Sequence, residues 1–138
     1  MPAALATIGG MAEGGWPAVM ARNRWLAIEG GRAVAGVTGT MTPPESMVGS
    51  MVALSLPGDG PLGGAAAEDQ SSPLEADPLQ TAIYDRFAIE VPIGPWPVPA
   101  AESPDPALRV IRVSIALHND RDDVDRLVAA LRTLTAEG

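Results

Sequence analysis

Between Leu108 and Leu117 the chain alternates without a break: Arg109, Ile111, Val113, Ile115 and Leu117 fall on one face, and Leu108, Val110, Arg112, Ser114 and Ala116 on the other. Period-two alternation marks a strand with two unlike faces, so the fold must supply a sheet and an apolar layer against the Ile/Val side. All-helical architectures are thereby excluded. The next segment is as explicit. Asn119 or Asp120 caps a helix, and Asp122 and Asp123 stand in the first turn, where the helix dipole favours acids. Val124, Leu127, Val128, Leu131 and Leu134 then form one apolar stripe, with Arg132 near the opposite pole.

Upstream, Asp77-Pro78 supplies an N-cap followed by proline at the first helical position, and Leu79, Ile83 and Phe87 step four residues at a time. Ile89-Glu90-Val91-Pro92-Ile93 alternates with period two, and Pro92 predicts an edge strand. Met47 to Leu56 is rich in β-formers and stops at Pro57, which predicts another strand. Leu5, Ile8 and Met11 give residues 2–13 a short helical pattern, interrupted by Gly9-Gly10 and closed by Gly14-Gly15. A longer helix follows, with Pro17 in its first turn and Val19, Leu26, Gly30, Ala33 and Val37 at helical spacing. Each of Gly30 and Gly31 weakens that helix by roughly 1 kcal/mol relative to alanine, so close packing there has to compensate. The order is helix, helix, strand, helix, strand, strand, helix, with the strands over 89–117 too close for βαβ crossovers. It predicts an α+β fold: a small, mostly antiparallel sheet covered on one face by helices, in a single domain over 1–138. Glycine and proline concentrate at 57–64 and 92–106, and 57–73 reads as a flexible surface loop.

Composition narrows the function. The 138 residues include no cysteine, no lysine and one histidine, so all nine basic residues are arginine, against seventeen acids and a net charge of −8. Without lysine, Schiff-base chemistry and the P-loop phosphate anchor are closed to this chain acting alone. Without cysteine, thiol nucleophiles, disulfides and cysteine-ligated metals are closed as well. Scattered arginines among excess acids exclude duplex binding and predict no nucleic-acid partner. Met1-Pro2-Ala3-Ala4 lacks a positive start, and Glu13 interrupts the apolar stretch behind it. With no apolar run of the ~20 residues a membrane helix needs, the expectation is a soluble, cytoplasmic chain without a membrane partner.

Arg112 is the first candidate site residue, because an arginine in mid-strand is unusual and its planar fork matches a carboxylate bidentately. The bland alternative is an exposed strand arginine or one paired with a local acid. The run His118-Asn119-Asp120-Arg121-Asp122-Asp123 fits neither a zinc spacing nor a calcium loop, and helix capping explains it. His118 reads as an ordinary strand-end histidine, since no nucleophile pattern points at it. Pro92-Ile93-Gly94-Pro95-Trp96-Pro97-Val98-Pro99 has PxxP spacing but no flanking basic residues, so it reads as a rigid connection with Trp96 tucked against the domain. GxGxxG, P-loop, GxSxG and HExxH motifs are all absent.

Taken in order, several segments are similar to a known family. They are Ala21-Arg22-Asn23-Arg24, Met47-Val48-Gly49-Ser50-Met51, Asp77-Pro78-Leu79-Gln80, and Ile89-Glu90-Val91-Pro92-Ile93 with Pro95-Trp96-Pro97. Ile111-Arg112-Val113-Ser114 with Leu117-His118-Asn119, and the helix from Asp123 to Leu131, complete the series. Together they resemble the C-terminal small domain of class V aminotransferases, within the fold-type I pyridoxal-phosphate enzymes, and especially the isopenicillin N epimerase-like proteins. The resemblance spans nearly the whole chain apart from 57–73. It implies a small domain that closes over an amino-acid substrate, beside a large domain that carries the lysine and most contacts to pyridoxal phosphate. It further implies that Arg112 binds the substrate's α-carboxylate. Where the family usually has tyrosine before the asparagine, this chain has His118, so a contact through a tyrosine hydroxyl is lost.

From that resemblance, the ancestral chemistry is epimerisation, transamination or elimination at an amino-acid Cα. The chain by itself is expected to be non-catalytic and to bind no cofactor alone, the large domain being absent. Its expected partners are that large domain or a second copy of itself, through apolar area exposed on 2–13 and on the Arg112 side of the sheet. The rival expectation is a non-catalytic α+β interaction or binding module.

Overall fold

The computed structural model describes residues 2–63, 76–96 and 108–137. Its elements run α1 (Pro2–Gly10), α2 (Gly15–Thr38), β1 (Met51–Ser55), α3 (Pro78–Phe87), β2 (Ile93–Trp96), β3 (Leu108–Ser114) and α4 (Arg121–Glu137), in the order the sequence predicts. The three strands form an antiparallel sheet of order β1-β3-β2, with Val52 opposite Val113, Leu54 opposite Ile111, and Ile93 opposite Ile111 on the other side. This is the expected α+β architecture.

Strand parity decides the core. Ile111, Val113, Val52, Leu54 and Ile93 all turn to one face, where Leu26, Ala27 and Val34 of α2 and Val124, Leu127, Val128 and Leu131 of α4 meet them. Gly30 and Gly31 are where α2 comes closest to its neighbours. A Cβ on Gly30 would stand 3.3 Å from a Val124 methyl, and one on Gly31 would stand 3.0 Å from a Val52 methyl. The missing side chains let the helix descend onto both the sheet and α4, which offsets their low helix propensity. The inward stripe of α2 passes through Val34, Ala35 and Thr38, while Ala33 and Val37, expected on it, are only partly buried.

Two predicted strands start later than their sequence pattern. Met47 ends a short 3₁₀ turn (Glu45–Met47) and pairing begins at Met51. The cause is Arg24, whose guanidinium donates to the carbonyls of Glu45 (2.7 Å) and Val48 (3.1 Å) and holds the segment in a turn. On the other edge, regular pairing starts at Ile93 rather than Ile89. Pro92 has no N–H to exchange, so residues 89–92 only run alongside β3, with the Pro92 carbonyl accepting from Arg112 N–H at 3.0 Å. The outward N–H of Ile93 is satisfied by Gln80 Oε1 at 2.8 Å, which covers this sheet edge with a side chain from α3.

Trp96, expected to tuck against the domain, is 64% exposed at the end of β2. It falls opposite Leu108 on the face away from the helices. Residues 97–99 of the proline-rich connection lie outside the described residues. So does most of the loop read at 57–73. Its described part, 57–63, closes a turn through Gly63 N–H to the Gly60 carbonyl and buries Leu62. No described helix is long and apolar enough to cross a membrane.

Candidate functional site

Strand alternation places Arg112 and Ser114 on the face of β3 that the helices leave open, as the sequence predicts. Arg112 pairs with Ala53 of β1 on one side, and on the other its N–H meets the Pro92 carbonyl. The same parity, continued through buried Ile93 and Val91, turns Glu90 outward on the same side. At the edge of the sheet, between the 89–92 segment, the end of β3 and the start of α4, lies a small cavity of about 110 Å³ on the helix side, walled by Val91, Val113, Ile115, Val124 and Leu127, with Glu90, Arg112, Ser114 and Asp123 at its border.

The state of the arginines separates this one from most others. Among the described residues, six of the nine are engaged. Arg22 donates to the Asn119 carbonyl, Arg24 to carbonyls of the 45–48 turn, Arg32 to Glu29 and Glu45, Arg86 to Glu137 and Arg109 to Asp77, while Arg121 lies 3.9 Å from Asp125. The guanidiniums of Arg112, Arg126 and Arg132 have no protein partner there, and of these only Arg112 stands on the sheet. Glu90, at the border of the same cavity, is likewise without a hydrogen-bond or ion-pair partner among the described residues. An unshared guanidinium is a ready carboxylate receptor, because none of its five donors has to be released first.

The His118–Asp123 run does what capping requires. Asp120 Oδ1 accepts from Asp123 N–H at 3.1 Å, while Asp123 Oδ2 accepts from Asp120 N–H at 3.2 Å, a reciprocal box that settles the N-cap on Asp120. Asn119 instead closes the turn before the helix, its Oδ1 accepting from Ala116 N–H at 2.9 Å. Among the described residues no group of three or more His, Asp or Glu side chains is placed to hold a metal. His118 stands on that turn and borders a separate apolar cleft of about 460 Å³ with Ile8, Met11, Trp16, Val19 and Asn23.

A second arginine, which the sequence places on the Ile/Val face without assigning it a role, carries structural weight. Arg109 is 7% exposed on the Ile/Val face of β3, and its Nε and Nη2 donate to the two carboxylate oxygens of Asp77, each at 2.6 Å. Its Nη1 donates to the Leu62 carbonyl at 2.7 Å. Asp77 Oδ1 also caps α3 by accepting from Leu79 N–H at 2.8 Å. Burial by itself pushes the Asp77 carboxyl up, but the Arg109 hydrogen bonds and charge, with the backbone N–H groups of Leu79 and Gln80, outweigh it and hold the carboxyl below its usual range. The available signal was the alternation itself, which put Arg109 among Ile111, Val113 and Ile115.

No family model matches the chain. It is similar to two plant proteins. One is a protein of Oryza sativa subsp. japonica named putative L-cysteine desulfhydrase 2, 32% identical over 91% of this chain and 27% of the relative. The other is a protein of Arabidopsis thaliana named probable L-cysteine desulfhydrase, chloroplastic, 30% identical over 91% of this chain and 25% of the relative. The chain therefore spans about a quarter of the length of the curated relatives it matches.

Proposed function

We propose that this chain is the substrate-closing small domain of a pyridoxal-phosphate enzyme acting on a small amino acid, with Arg112 as the receptor for the substrate's α-carboxylate. The observation that carries the reading is the unshared Arg112 fork on the open face of β3, which no side chain of the described residues satisfies. The names of the two relatives favour elimination of sulfide from L-cysteine over the epimerisation or transamination suggested by the isopenicillin N epimerase-like resemblance.

The cofactor does not fit the residues of this chain. There is no lysine to attach it. The cavity beside Arg112 sets Glu90 and Asp123 against that single cation, a field that repels a phosphate dianion. Holding the cofactor and breaking bonds at Cα thus fall to a lysine-bearing large domain, and the chain alone is non-catalytic. On this reading the exposed Met51, Trp96 and Leu108 around Arg112 are the apolar part of the contact with that domain. The work left to this chain is orientation. A bidentate guanidinium fixes the plane of the carboxylate and so the direction of the remaining Cα bonds.

Two measurements test this. The purified chain mixed with pyridoxal phosphate and L-cysteine is expected to release no sulfide; release would overturn the reading. In the Arabidopsis relative, replacing the matching segment by this chain is expected to preserve sulfide release, and Arg112→Gln in that chimera to lower it about 10- to 100-fold, the range for losing a charge-assisted hydrogen-bonded pair. Equal activity with Gln at this position, or no activity with either, would sink the carboxylate role.

A further inference from the structure

The run Ala21-Arg22-Asn23-Arg24 is only partly spent on the fold. Arg22 ties α2 to the Asn119 carbonyl and Arg24 ties it to the 45–48 turn. Asn23, between them, is 8% exposed, and apart from Thr38 the other buried positions of α2 are apolar or glycine. Its Oδ1 accepts from Arg22 Nη1 at 3.1 Å, while its Nδ2 has no acceptor among the described residues. No described side-chain nitrogen or oxygen is both sealed from solvent and unpaired, so Nδ2 keeps access to open space. The space that Asn23 borders is the cleft of about 460 Å³ at the end of β3. Ile115 places that cleft on the helix side of the sheet, away from the open face that carries Arg112.

An indole holds one wall of the cleft in place. Trp16 Nε1 donates to the Leu5 carbonyl at 2.9 Å, and the ring lies against Gly9, where a Cβ would come within 2.8 Å of it. The bare glycine lets α1 fasten onto the start of α2, so Ile8 and Met11 join Val19 and Leu117 in lining the cleft. No Asp, Glu or Arg lines it. An ion entering such a place would shed water without meeting a permanent counter-charge, so the surroundings favour a neutral occupant. A second copy of the chain would bring a net charge of −8 against −8, which disfavours packing two chains through this cleft. Apolar walls, a volume within the roughly 300–1,000 Å³ of small-molecule sites and one spare amide donor together describe a ligand. We infer that the cleft binds a small neutral molecule with an apolar body and a single carbonyl or hydroxyl oxygen, which accepts from Asn23 Nδ2. The walls supply affinity, and the amide selects the oxygenated compound over the plain hydrocarbon. The inference stands apart from the carboxylate role of Arg112.

Acetophenone and α-methylstyrene share a planar outline and differ by a C=O against a C=CH₂, so they isolate the amide donor. The experiment is an NMR titration of the ¹⁵N-labelled full chain with each compound, for the wild type, Asn23→Asp and Asn23→Leu. Asn23→Asp keeps an oxygen for Arg22 Nη1 and replaces the donor by an acceptor; Asn23→Leu keeps an apolar side chain of similar size. A spectrum unchanged away from the cleft shows that each variant is folded. In the wild type both compounds are expected to shift the Trp16 indole N–H and the backbone amides of 115–118, and only acetophenone to move the Asn23 side-chain amide protons downfield. The ratio of acetophenone affinity to α-methylstyrene affinity is expected to fall about tenfold in both variants, the effect of losing one hydrogen bond. Taking the ratio cancels the greater hydrophobicity of the hydrocarbon. Failure of the wild type to bind either compound, shifts centred away from the cleft, or an Asn23 side-chain amide that does not respond to acetophenone overturns the inference without need of a variant. An unchanged ratio in a folded variant overturns it as well. So does a dimer whose mass persists at saturating acetophenone while the Trp16 indole stays unmoved, which would put a second copy in the cleft.

Discussion

Arg109 and Arg112 sit three residues apart on one strand, and the odd spacing sends them to opposite faces with opposite fates. Arg109 enters the core, closes on both oxygens of Asp77 and takes the Leu62 carbonyl, so its donors are consumed in joining β3 to the start of α3 and to the 57–63 turn. Arg112 stays on the open face with no protein acceptor among the described residues. The chemistry of the two side chains is identical. What distinguishes the structural arginine from the candidate receptor is strand parity together with the presence of a counter-charge within reach. A guanidinium that the fold has satisfied contributes to stability and binds nothing; one that the fold leaves open contributes little to stability and is available to a ligand.

The largest effect is expected from removing the buried partner. Arg109→Met leaves Asp77 buried, charged and without its cation, and is expected to destabilise the chain by about 3–5 kcal/mol, a large share of an ordinary domain's stability. Because a buried pair is costly to break but dispensable as a pair, Arg109→Met combined with Asp77→Ser, which keeps an oxygen for the N-cap of α3, is expected to recover most of the loss. Urea unfolding of the two variants measures both. A single-variant cost below about 1 kcal/mol, or a double variant no better than the single, would mean that the Arg109–Asp77 contact does not hold this junction.

Most of the fold, and half of this contrast, is legible in the sequence alone. Local patterns carry it: alternation marks β3 and its two faces, Asp77-Pro78 marks the start of α3, and the spacing of Val124, Leu127 and Leu131 marks α4. What stays hidden depends on contacts between distant residues. The boundaries of β1 and β2 are set by Arg24 reaching the 45–48 turn and by the missing N–H of Pro92 opposite Arg112. The Arg109–Asp77 pair links positions 32 apart, and no period in a sequence marks such a partner. For the candidate site the legible part is Arg112. Glu90 is invisible to sequence reading because its alternation suggests a strand of its own rather than a segment lying beside β3.

Acid treatment separates the two arginines further, since only one of them faces a carboxylate that titrates with folding. The Asp77 carboxyl ionises below its ordinary value near 3.8 in the folded chain, so its stabilising contribution is present above that value. It is lost as pH falls through the ordinary value toward the lowered one, where the folded chain still holds the charge and the unfolded chain has taken up the proton. Glu137 is lowered in the same direction by Arg86, but both of those side chains are exposed. Urea midpoints measured from pH 7 down to pH 3 are therefore expected to fall more steeply for the wild type than for Asp77→Asn. Parallel curves would show that the buried carboxylate is not what makes this junction acid-sensitive.

The smallest effect tests the other arm. Arg112→Gln keeps part of the reach and some of the donors of the side chain while removing a charge that nothing in the described structure satisfies. Its cost to folding is expected to stay within about 0.5 kcal/mol, as for surface substitutions away from caps, cores and ion pairs. The small number matters because a receptor requires it. An arginine that contributed to stability would have its donors engaged and would have to give up that energy to take a carboxylate, as Arg109 would. A measured loss above about 1 kcal/mol for Arg112→Gln would place a partner on the guanidinium in the free chain. It would turn Arg112 into a second structural arginine and remove the ground on which its ligand role stands.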